Sequence, residues 1–107
     1  MASARPPAAM NKLPDDDDIA ELADMFRLLG DATRLRILMT CLDEPVAVSD
    51  IASRLDLTLS LVSHHLRLLR AARLVRSERL GKQVFYEAAD KHVSNVIGDL
   101  LEHIAEP

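Results

Sequence analysis

The chain has 107 residues, a formal net charge of −4, and 49% hydrophobic but only 3% aromatic side chains. That length predicts one domain, and so few aromatics suit a helix-rich core of Leu, Ile, Val and Ala better than a β-sandwich. The single cysteine, Cys41, excludes an intrachain disulfide framework and a Cys-rich zinc finger, and fits a reducing compartment. No apolar run approaches the roughly 18 residues of a membrane span. Met1 to Met10 lacks the apolar block of a secretory signal. A soluble, cytoplasmic protein with no membrane contact is expected.

Residues 1–18 read as a disordered acidic arm, with three of the five prolines and the run Asp15–Asp18. Those acids are expected to be solvated, or to cap the next helix electrostatically. The folded domain is expected over residues 19–107. Its first helix should run from about Ile19 to Leu29, with Ile19, Leu22, Phe26 and Leu29 inward. Gly30 ends it. Asp31 caps a second helix reaching about Leu42, with Leu35, Leu38 and Leu42 as its stripe. Cys41 falls beside Ile37 on the inner side, as a small buried hydrophobe. Asp43-Glu44-Pro45 breaks the chain.

A third helix is expected from Ser49, as cap, to Leu55, with Ile51, Ala52 and Leu55 inward. After Asp56-Leu57-Thr58 a fourth helix covers about Ser60 to Ala71. Two short helices across such a turn make a helix-turn-helix. At 100° per residue Val62, Leu66 and Leu69 face the core, and Ser60, Ser63, His64 and Arg67 face out. That outward set is short, polar and cationic, suited to bases and phosphates. Thr58 precedes the helix, where a hydroxyl and free N–H groups can hold a phosphate. The period then changes to 2. Leu74–Glu78 and Val84–Glu87 read as strands with Gly81-Lys82 as the turn, a wing carrying Arg76, Arg79 and Lys82. Residues 58–86 hold 6 basic and 1 acidic side chains, against 6 and 11 in residues 1–57 and 1 and 5 in residues 87–107. Phosphate affinity depends on the local face, so the acidic total does not exclude double-stranded DNA.

The last helix should cover Lys91 to Ala105, with Val93, Val96, Ile97, Leu100, Leu101 and Ile104 as a broad stripe. Asp90 and His92 lie at one end; His103 and Glu106 lie at the other, on one helical face. His92 and His103 are 11 residues apart, or roughly 16 Å at 1.5 Å per residue, so one helix cannot close both pairs around one ion. Two antiparallel copies in a two-fold dimer can, giving two equivalent sites. Two imidazoles and two carboxylates suit Zn²⁺, with Co²⁺ or Ni²⁺ also accommodated. The bland alternative is an acidic dimer helix whose histidines are merely polar.

Leu29-Gly30-Asp31-Ala32-Thr33-Arg34-Leu35-Arg36-Ile37-Leu38, then Val62-Ser63-His64-His65-Leu66-Arg67-Leu68-Leu69, then Leu74-Val75 through Gly81 to Phe85-Tyr86, resemble in order the second helix, recognition helix and wing of the ArsR/SmtB family of metal-responsive bacterial repressors. The resemblance runs from about Ile19 to Glu106. It implies a mainly α winged helix-turn-helix with a small β-hairpin, in the order α-α-α-α-β-β-α. It also implies a homodimer through the first and last helices that represses by holding operator DNA. In the zinc-sensing branch, metal on the last helices weakens DNA binding. Asp90-Lys91-His92 and His103-Ile104-Ala105-Glu106 match that branch's Asp-x-His and His-x-x-Glu pattern. Val46-Ala47-Val48-Ser49 lacks the thiolates of the arsenic and cadmium branches, and Cys41 has no partner for persulfide sensing. Leu59 and Leu61 stand where the family often has polar or small residues. His65, on the flank of the recognition helix, is either an allosteric link to the metal helix or a half-buried packing histidine.

Two other readings remain. One is a winged-helix DNA-binding regulator whose metal site is structural or absent and whose signal differs. The other is a winged-helix protein-interaction module, since fold alone does not fix function. An enzyme is not expected. Three glycines leave little room for a phosphate-cradling loop, and a closed four-ligand site offers no open position for water.

Overall fold

The computed structural model describes residues 13–107, so the first twelve residues of the expected arm lie outside it. Helix α1 spans Asp16–Leu29 and starts three residues before the expected Ile19. Asp15 is its N-cap, and the Asp15 carboxylate accepts from the Asp18 N–H at 2.8 Å. Asp16, Asp17 and Asp18 form the first turn, where carboxylates complement the unpaired N–H groups and the helix dipole. The end of the expected arm is therefore helical. Only Leu29 of the expected inward stripe faces in. Met25, Leu28 and Leu29 pack on the core, whereas Ile19, Leu22 and Phe26 are exposed.

Helix α2 (Ala32–Thr40) starts as expected, with the Asp31 carboxylate accepting from the Arg34 N–H at 2.9 Å. It stops two residues short of Leu42. Ile37, Leu38 and Cys41 are fully buried. A two-residue strand β1 (Val46–Ala47) follows, which the sequence did not lead us to expect. Two residues after Pro45 are too few to display a period. Helix α3 (Val48–Leu55) leaves β1 directly with Ala47 in the cap position and no side-chain cap. Ser49, the expected cap, is thus one residue inside the helix. Asp56 closes α3 in the left-handed conformation (φ 56°, ψ 46°), which Asp tolerates better than most residues.

After Leu57 and Thr58, helix α4 (Leu59–Ala71) buries Val62, Leu66 and Leu69 completely against Ile51 and Ala52 of α3 and the α2 residues. Strands β2 (Val75–Leu80) and β3 (Gln83–Ala88) pair antiparallel, with Leu80 opposite Gln83. Gly81-Lys82 is therefore a two-residue turn, and Gly81 takes the positive φ (65°) that such a turn requires. The expected hairpin is in fact a three-stranded sheet of order β1-β3-β2, because Val46 and Ala47 pair with Tyr86 and Phe85. Helix α5 has the expected bounds, Lys91–Ala105. Ile97 is buried, and the Ser94 hydroxyl donates to the Leu42 carbonyl at 3.3 Å. The architecture is a winged helix-turn-helix. Among the described residues, no helix is long and apolar enough to cross a membrane.

Candidate nucleic-acid interface and metal centre

The core side of α4 fixes what its other side presents. With Val62, Leu66 and Leu69 inward, Ser60, His64 and Arg67 are exposed and Ser63 is half-buried. Thr58 is the N-cap, its Oγ1 accepting from the Leu61 N–H at 3.2 Å. The hydroxyl proton remains free to donate to a phosphate oxygen. The sheet brings the wing to the same place. Ser63, Lys82 and Gln83 line one open cleft of about 250 Å³ together with Leu59, Ser49 and Val84.

The three wing cations are not equivalent. Arg76 lies opposite Glu87, and its Nε donates to the Glu87 carboxylate at 3.0 Å. Its charge is partly neutralised, near the base of the hairpin. Arg79 and Lys82 flank the exposed Gly81 turn, and neither forms an ion pair among the described residues. Sequence reasoning missed Ser49, Gln83 and Leu59 as walls of this cleft. Gln83 adjoins a singled-out residue, but no spacing rule links Ser49 to a turn 33 residues away.

His65 is buried rather than half-in. Its Nδ1 accepts from the Arg34 Nε at 3.2 Å, and Arg34 also donates from Nη1 to the Leu28 carbonyl at 3.0 Å. Within the chain this histidine is bonded to α2, not to α5. Burial pushes its pKa below the ordinary imidazole value. The nearby Arg34 adds to that, Asp31 opposes it, and His64 adds again. The two imidazole rings lie 5.6 Å apart.

At α5 the four singled-out residues stand as two separate exposed pairs. Asp90 is the N-cap, one carboxylate oxygen accepting from the Val93 N–H at 3.1 Å. Its second oxygen is left for another ligand. Glu106 is the C-cap: its N–H still bonds to the Glu102 and His103 carbonyls and its φ of −72° is helical, whereas its ψ of 138° turns the chain out of the helix after it. Among the described residues, no three His, Cys, Asp or Glu side chains of one chain cluster tightly enough to hold a metal. Between α1 and α5 lies an open, mostly apolar groove of about 470 Å³, floored by Leu22, Phe26, Val93 and Ile97 and edged by Asp90 and His92. Val96, Leu100, Leu101 and Ile104 continue this apolar surface along α5.

Comparison with known proteins gives a consistent picture. Residues 31–77, from the α2 cap into β2, match the model of the bacterial regulatory proteins of the arsR family. The transcriptional repressor SmtB homolog of Synechocystis is 37% identical over 90 residues, which are 84% of this chain and 68% of that protein. The HlyU structure from Vibrio cholerae superposes with a TM-score of 0.76 at 30% identity, covering 85% of this chain and 98% of that one. A homodimeric winged helix-turn-helix DNA-binding domain from Mycobacterium bovis superposes with a TM-score of 0.75 at 26% identity, covering 86% and 87%.

Proposed function

The chain belongs to the ArsR family of bacterial regulatory proteins, transcriptional regulators rather than enzymes, and from that premise we propose that it is a homodimeric repressor released from operator DNA by Zn²⁺. Thr58, Ser60, Ser63, His64, Arg67, Arg79 and Lys82 would meet the duplex, with Arg76 contributing less because Glu87 already holds it. One relative is described as a repressor and one structural neighbour as a homodimeric DNA-binding domain, and both descriptions favour the reading. Residues 15–18 would belong to the folded unit by their capping role.

The observation that carries the metal half is the placement of the α5 ligands. Each end of the helix presents an exposed imidazole with a carboxylate nearby, and among the described residues neither end gathers three donors close enough to hold an ion alone. The exposed apolar face of α1 and α5 is what a second copy would cover. Asp90 and His92 of one protomer with His103 and Glu106 of its partner would supply an N₂O₂ set suited to Zn²⁺. The free oxygen of Asp90 and the exposed carboxylate of Glu106 are compatible with that role. Bound zinc would tie the two protomers together at α5 and so bias the relative placement of the two reading helices. His65, through Arg34, would couple α4 to α2 and to the last turn of α1.

Titrating zinc into the protein on DNA from its own promoter tests the reading, with metal occupancy and DNA release followed together. Release should track occupancy, and operator DNA should lower zinc affinity by the same factor. His103→Ala should abolish the response and keep the metal-free affinity. Unchanged operator affinity at saturating zinc would refute sensing and leave a DNA-binding regulator with another signal.

A further inference from the structure

Leu59 is the first residue of α4, yet 55% of its surface is exposed. A single exposed leucine is ordinary. Its surroundings are not those of a stray surface residue. It borders the cleft that also holds Ser49, Ser63, Lys82 and Gln83. On the helix Leu59 lies about 20° from buried Leu66 on one side and about 40° from half-buried Ser63 on the other, at the border between the core stripe and the polar face. Leu61, also exposed, is about 160° from Leu59, on the opposite border between His64 and His65, and does not line the cleft.

The cleft thus combines apolar side chains, of which Leu59 is the most exposed, with hydroxyl, amide and ammonium groups. Lys82 in the cleft, with Arg67 exposed on the same helix as Leu59, favours a polyanion, and the serines and Gln83 favour hydrogen-bonding edges. In a DNA major groove the apolar feature among those edges is the C5-methyl group of thymine. We infer that Leu59 reads the methyl group of one thymine in each operator half-site. This rests on the DNA-binding reading above and adds a base preference to it.

The test begins with a duplex selected by the full chain from a randomised pool. Each thymine is then replaced singly by uracil, which removes the methyl and keeps every hydrogen-bonding group. One thymine per half-site should lose about fourfold in affinity on replacement, the value of one buried carbon. Leu59→Ala should bind the thymine and uracil duplexes equally, and Leu59→Met, which keeps an apolar end, should still discriminate. Tolerance of uracil at every position, or the same loss in Leu59→Ala as in the parent, would overturn the inference while leaving DNA binding intact. Failure to select any duplex would instead overturn the DNA-binding reading, and this inference with it.

Discussion

Asp31, Arg34 and His65 join the start of α2 to the middle of α4. The Asp31 carboxylate caps α2 through the Arg34 N–H, and the Arg34 side chain donates to His65. That bond needs an unprotonated Nδ1, and burial beside a guanidinium keeps the ring neutral. A depressed folded pKa means that the unfolded chain binds more protons across the interval between the two values. The contribution of His65 to stability is therefore complete above the ordinary histidine range. It is lost as pH falls through that range to the depressed value. His65→Gln should flatten this dependence: the change in urea midpoint between about pH 7.5 and about pH 5.5 should be smaller than in the parent. An equal change in both proteins would assign the slope to other groups. Helical spacing put His65 on a flank; the packing of α2 over that flank decided that it is buried. Arg34 is 31 residues away, and no sequence pattern pairs them.

At the scale of elements, the ends of the helices are where the chain is most explicit. Asp15, Asp31, Thr58 and Asp90 each accept from the backbone N–H three residues on. The end of α4 is different. Arg73 takes the left-handed conformation (φ 61°) so that the Leu74 N–H can reach the Leu69 carbonyl at 2.9 Å. Arg73 also pairs with Glu21 of α1, and that pair raises its pKa. Both side chains are exposed to solvent, whose screening leaves the pair worth little. The left-handed backbone costs a residue with a Cβ about 1–2 kcal/mol. The strain outweighs the pair, and Arg73→Gly should raise stability by about 0.5 kcal/mol in chemical denaturation. A loss of stability would show instead that the tie to α1 outweighs the strain. Strand β1 marks the limit of reading elements from sequence: two residues have no period, and only pairing with β3 makes them a strand.

For the molecule as a whole, a single protomer leaves too much apolar surface in one region. Leu22 and Phe26 of α1 are 54% and 55% exposed, and Ile104 of α5 is 76% exposed. They join Val96, Leu100 and Leu101 around the α1–α5 groove in a continuous patch, not a scatter. On the proposed reading a second copy covers it. Replacing Leu100 and Ile104 together by Glu should give a monomer by analytical ultracentrifugation at about 10 μM, with operator affinity reduced at least tenfold because one half-site engages alone. Retention of the parent's sedimentation behaviour would move the dimer interface elsewhere.

The sequence by itself determined the reading helix. Val62, Leu66 and Leu69 recur at the helical period, so the placement of Ser60, His64 and Arg67 outward followed from local geometry. The Asp31 cap, the Gly81 turn and the bounds of α5 were legible for the same reason: each is decided within a few residues. Tertiary structure decided what distant segments do to one another. It added β1 to the wing, set Lys82 and Gln83 beside Ser63 and Leu59, tied Arg76 to Glu87, and covered His65 with α2. It also divided the stripe of α1, turning Leu29 to the core and leaving Phe26 to solvent in the single protomer. Periodicity marks a face as apolar, but what that face is buried against depends on chain packing that no local pattern encodes.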